Sequence, residues 1–192
     1  MTALSWRGAV IMLAATLLPA AAARAEPAAL TICYDYGCKA QDKITFDEPI
    51  FVKLAEMLAT AHDAVSERYA ISAAVARLYV EAGKQTPIWR DRGGDTNDEG
   101  EGSMDCIDHA ANTTTFLKLM ERRGLLRFHR VGEPVKRGII AEHWAATIVE
   151  PKSQAVYTVD SWFYDFGMPA IVMDLSDWQA GRRPPGIMAG FR

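Results

Sequence analysis

The sequence predicts an α+β domain, and three stretches carry that prediction. Apolar residues recur at helical spacing through "FDEPIFVKLAEMLATAHDAVSERYAISAAVARLYVEAG", Phe46 to Gly83. A second helical pattern runs through "DCIDHAANTTTFLKLMERRG", Asp105 to Gly124. Two β-rich runs flank the turn "PKSQ" in "RGIIAEHWAATIVEPKSQAVYTVDSWF", Arg137 to Phe163. The last pattern is a hairpin, so the sheet it belongs to is antiparallel.

The first helical stretch opens well. Asp47 is a good N-cap, and Pro49 suits a first turn. Its apolar positions are Ile50, Leu54, Met57, Leu58, Ala61 and Val65, then Ile71, Val75, Leu78 and Tyr79. Either a second helix begins near Ser66 or one long helix runs through to Gly83. The following "KQTPIWRDRGGDTNDEGEGSMD" reads as a loop. Within it, Asp95, Asn97, Glu99 and Gly100 match the start of a calcium loop, but Cys106 stands where the bidentate glutamate belongs. A solvated acidic loop is the better reading. In the next helix Asp105 and Asp108 have capping-box spacing, and Cys106 falls in the first turn. Ile107, Ala110, Ala111, Thr114, Leu117 and Met120 form one face, and Gly124 stops the helix. In the hairpin, pairing Glu150 with Ala155 sets His143 opposite Trp162, with Asp160 its diagonal neighbour on the same face. A slip by two would put His143 directly opposite Asp160; a slip by one would separate them.

Composition narrows the function. The chain has 192 residues, is 49% apolar and carries a net charge of -3. Nucleic acid and anionic membrane are therefore poor partners. Arg7 followed by "GAVIMLAATLLPAAAARA" has the basic start, short apolar run and small-residue cleavage pattern of a signal peptide. The expected organisation is a signal peptide over 1–25, one domain over 26–181, and an irregular tail over 182–192 rich in Gly, Pro and Arg. The expected location is periplasmic or secreted, without a membrane span.

An oxidising compartment makes the three cysteines informative. Cys33 and Cys38 in "CYDYGC" can close a small disulfide loop, which leaves Cys106 alone between Asp105 and Ile107-Asp108. A thiol at a helix N-terminus sees the positive end of the dipole and unpaired N–H groups that could hold an oxyanion. His143 can take its proton, and Asp160 can orient the imidazole. The predicted catalytic set is thus Cys106 as nucleophile, His143 as general acid/base and Asp160 as orienter. No cofactor or metal is required. Asp105 and Asp108 oppose the thiolate unless they turn toward helix N–H groups.

The motifs "MDCIDHA", "EHWAATIVE" and "YTVDSWF" resemble the bacterial transglutaminase-like cysteine proteinases, within the papain and transglutaminase superfamily. The likeness spans Trp89 to Phe163. It implies a papain/transglutaminase-like core, with the Cys106 helix and the N-terminal helices packed on an antiparallel sheet. It also implies acyl transfer on a peptide or protein amide: proteolysis, deamidation or amide exchange. One departure concerns calcium, because Ile107 stands where the family carries a calcium-binding glutamate. Gln85 or Trp89 would suit an oxyanion donor, and neither spacing decides between them. Two other functions compete: a catalytically silent periplasmic binding module, and a zinc-dependent hydrolase using Cys106, His109 and His143. His129 is expected where the chain leaves the helix for the sheet.

Overall fold

The structure is a computed structural model describing residues 27–182, apart from 95, 97–99 and 140–141. The expected signal peptide, the tail from 183 onward, and Asp95, Asn97 and Glu99 lie outside the described residues. Two strands open the described chain, β1 (Ala28–Tyr34) and β2 (Ala40–Phe46), paired antiparallel as a hairpin. Its tip is closed by a Cys33–Cys38 disulfide. Alternation in β1 buries Leu30, Ile32 and Tyr34. The helical stretch resolves into α1 (Glu48–Ala59) and α2 (Ala64–Gly83). Asp63 caps α2 by accepting from Ser66 N at 2.7 Å, while the Ser66 hydroxyl accepts from Asp63 N at 3.1 Å. This break resets the helical phase, so Val65 is 52% exposed instead of continuing the apolar face of α1.

A 3-10 turn (Pro87–Arg90) precedes the loop into α3 (Cys106–Arg122). The loop needs Gly102: its φ is +93°, and a Cβ there would lie 2.2 Å from the Pro87 carbonyl oxygen. After α3 come β3 (Arg130–Val131), β4 (Val135–Arg137), β5 (His143–Glu150), β6 (Ala155–Asp160) and β7 (Ile171–Asp174), then the short helix α4 (Leu175–Gln179). The sheet order is β3-β5-β6-β7, and β4 also pairs with β5. All these pairings are antiparallel. The fold is therefore α+β with antiparallel sheets. The β5–β6 register joins Glu150 to Ala155 and Ala146 to Val159, the unslipped register considered from sequence.

One core cluster joins the elements, with Ile32 and Phe46 from the first hairpin, Leu54 and Leu78 from α1 and α2, Phe116 and Leu117 from α3, and Ile148 and Val159 from the sheet. Ile107 is not part of it: at the start of α3 it is 43% exposed. Glu67 is a buried charge within the fold. It accepts from Arg127 N at 2.6 Å, Phe128 N at 2.8 Å and His129 Nδ1 at 2.8 Å. Burial pushes its carboxyl up, but His129 and the two backbone donors outweigh burial and hold it below the ordinary range. His129 is thus a structural partner where the chain turns from α3 toward β3. Among the described residues, no helix is long and apolar enough to cross a membrane.

Removing Glu67 strands His129 and two backbone N–H groups. Glu67→Ala should cost about 3–5 kcal/mol in urea denaturation; a loss below about 1 kcal/mol would contradict the assignment. Because the folded carboxyl is depressed, its contribution is present above about pH 4.5 and is lost as pH falls through the folded value.

Candidate active site

The N-terminus of α3 carries the thiol. Asp105 is the N-cap, and its carboxylate accepts from Ile107 N and Asp108 N, both at 2.9 Å. Asp108 completes the capping box by accepting from Asp105 N at 3.3 Å. Both aspartates flanking Cys106 are therefore turned into backbone donors. Burial, then the Asp105 charge, push the Asp108 carboxyl up to about 6, against the pull of N–H groups at Cys38, Asp105 and Tyr36. Cys106 is residue N1, so its own N–H belongs to the first-turn donors that no carbonyl within the helix can satisfy. The Cys106 thiol lies 3.7 Å from the Glu142 carbonyl oxygen.

The hairpin brings the other two residues to the thiol. His143 begins β5, where it pairs with Arg137 of β4, and Asp160 ends β6. His143 Nε2–H donates to Asp160 Oδ2 at 2.6 Å; a carboxylate has no proton to give, so Nε2 must carry it. This leaves Nδ1 as the nitrogen for the thiol. The ring is wedged among Trp162, Phe163 and Trp178, with centroids 4.9, 5.2 and 5.5 Å away. Burial alone would lower its basicity. Hydrogen bonding of the ring to Asp160 and Cys106, and the charges of those two groups, outweigh burial and raise His143 to about 9. The imidazole is therefore a cation at neutral pH, held between a carboxylate and a sulfur.

Asp160 is itself buried and fully engaged. Trp178 Nε1–H donates to Oδ2 at 2.9 Å, and Trp162 N–H donates to Oδ1 at 3.2 Å. In front of the thiol is a cleft of about 480 Å³, walled by Tyr36, Ile107, Arg137, Glu142, Trp144 and Trp162 among others.

Several sequence-level candidates sit elsewhere. Gln85 is bound to both backbone groups of Thr45, at 3.0 Å each, so its amide is used in the fold. Trp89 is 56% exposed and does not line the cleft. His109 faces the interior. It meets Asp91 Oδ2 at 3.1 Å through Nε2 and Ser161 Oγ at 2.8 Å through Nδ1, so both its nitrogens are occupied away from Cys106. Among the described residues, the grouped donors of metal-binding type are Cys33, Cys38 and Asp108, of which the two cysteines form the disulfide. Trp178, Arg137 and Tyr36 were not anticipated. Trp178 lies in the polar segment "DLSDWQA", where a lone indole is the only signal, and Tyr36 lies inside the disulfide loop.

The disulfide loop is pinned to α3. Asn112 accepts from Cys33 N and donates to Cys33 O, each at 2.8 Å, and Asp108 Oδ1 accepts from Cys38 N at 2.6 Å. The helix that presents Cys106 thus also carries the cleft wall containing Tyr36. No family model, curated protein or solved structure matches the chain.

The geometry yields a titration prediction. His143 should titrate by NMR with a midpoint near 9, and Asp160→Asn should move it down toward about 6.5. Its folded value is raised, so the stability it contributes is present below about pH 6.5 and is lost as pH climbs through 9. An unchanged midpoint in Asp160→Asn would contradict the coupling.

Proposed function

We propose that the protein is an exported thiol enzyme that transfers acyl groups from peptide or protein amides through Cys106, His143 and Asp160. The observation that carries this reading is the 2.6 Å contact between His143 and Asp160, on a ring that also engages the sulfur at a helix N-terminus. An imidazolium beside a thiol favours the thiolate, and so does the helix dipole. We propose a relation to the transglutaminase-like cysteine proteinases, with a papain/transglutaminase-like arrangement of nucleophile helix and antiparallel sheet. The disulfide is compatible with a periplasmic or secreted location.

In this mechanism the Cys106 thiolate attacks the amide carbon, and a sulfur–carbon bond forms. The oxyanion that develops faces the Cys106 N–H, since Asp105 already takes the N–H groups of Ile107 and Asp108. His143 Nδ1 gives its proton to the amine as the carbon–nitrogen bond breaks, leaving a thioester and a neutral imidazole. Water or an amine then attacks the thioester. His143 takes the acceptor's proton, and the sulfur leaves as thiolate. Asp160 keeps Nε2 protonated throughout, so Nδ1 is always the exchanging nitrogen.

Iodoacetamide tests the reading directly. Cys106 should be alkylated rapidly near neutral pH in the native protein, and His143→Ala should slow this by roughly 10²-fold or more. Cys106→Ala should abolish amide turnover, and wild-type turnover should fall above about pH 9 as His143 loses the proton it gives to the leaving amine. A thiol that stays inert until the protein is denatured would instead mark a silent binding module.

A further inference from the structure

We propose that Trp178 is a positioning residue for the thiol chemistry, and that its indole N–H, beyond its bulk, holds the Asp160 carboxylate aimed at His143. The inference rests on the acyl-transfer reading above. Asp160 is 2% exposed, so its charge needs donors inside the protein. The Oδ2 atom that receives His143 Nε2–H is the same atom that receives Trp178 Nε1–H. Two donors on one oxygen fix the carboxylate plane and hold that oxygen opposite His143 Nε2.

The surroundings of Trp178 are built for this role. It is the largest fully buried side chain described, at 0% exposure. It is delivered by a sharp turn from β7 into α4, capped by Asp174 accepting from Ser176 N at 2.8 Å. Arg137 closes its outer side. The guanidinium lies 4.7 Å from the ring centroid, and its Nη1 donates to the Trp178 carbonyl. Arg137 also lines the cleft and pairs with His143 across β4 and β5, so one residue links the tryptophan, the imidazole strand and the substrate wall. The charged groups facing the pair are Cys106 from α3, Arg137 from β4 and Asp160 itself. Glu142 beside them is held by Lys136 at 2.6 Å, and Asp177 of α4 is turned to Arg182 at 3.2 Å.

A structural role alone predicts that any ring of the right size suffices. A positioning role predicts that the N–H matters. The test replaces Trp178 with Phe and, to keep the full ring system, with the benzothiophene isostere that carries sulfur in place of N–H. Both are compared with wild type by iodoacetamide alkylation of Cys106 from pH 4 to 10. In each variant the alkylation rate near neutral pH should fall about tenfold and the His143 midpoint should move down from about 9, because Asp160 Oδ2 is no longer held opposite Nε2. Amide turnover should show about a tenfold lower kcat with KM unchanged, since Trp178 does not line the cleft. An isostere variant with the wild-type profile would overturn the proposal, even if the Phe variant fails to fold. A wild-type Cys106 that is not alkylated natively would sink the acyl-transfer reading instead, so the two failures are distinguishable.

Discussion

The buried Asp160 carboxylate is the constraint around which the site is arranged. A carboxylate at 2% exposure is tolerated only when its oxygens are occupied. Here three N–H groups occupy them, from His143, Trp178 and the Trp162 backbone. Each comes from a different part of the chain: the start of β5, the helix α4 and the segment after β6. Satisfying this one charge therefore ties the strand bearing the imidazole to the C-terminal end of the described fold. It also decides the chemistry of His143, because the nitrogen bound to Asp160 must keep its proton.

The thiol side obeys a parallel logic. A cysteine flanked by two aspartates is poorly placed for thiolate formation unless their charges are directed elsewhere. The capping box does this, since both carboxylates accept backbone N–H groups. Asp108 and Asn112 also grip the backbone of Cys33 and Cys38, so the residues that order the start of α3 anchor the disulfide loop as well. Behind α3, the chain Asp91–His109–Ser161 spans the loop before the helix, the helix itself and the residue after Asp160. This buried network links the start of α3 to the end of β6, and none of its three residues lines the cleft.

Much of this was legible in the sequence. Capping spacing places the start of α3 at Cys106, and the turn "PKSQ" leaves two hairpin registers, both setting His143 and Asp160 on one face, of which the structure has the one pairing Glu150 with Ala155. The local signals there are strong because caps and tight turns act over a few residues. What was not legible depends on long-range contact. The α1–α2 break left Val65 outside the core because the helical phase resets at Asp63. The sequence signals a disulfide loop at Cys33–Cys38, while the β1–β2 hairpin around it rests on a short alternation of Leu30, Ile32 and Tyr34 that only packing against the core makes a strand. Ile107 matches the apolar face of α3 by period, yet it lines the cleft and is 43% exposed, because period tells which residues share a face and not what covers that face at the first turn. Trp178 could not be linked to Asp160 from sequence, since only the fold of β7 and α4 brings them together.

The proposed chemistry requires Cys106 to form a covalent acyl intermediate only when the folded site is intact. The most direct measurement is the intact mass of the native protein after brief mixing with an activated peptidyl ester, followed by mapping of the adduct. The account predicts one acyl group on Cys106 in the wild type and almost none in His143→Ala under the same conditions. No adduct on native wild-type protein, or equal labelling after the imidazole is removed, would contradict it.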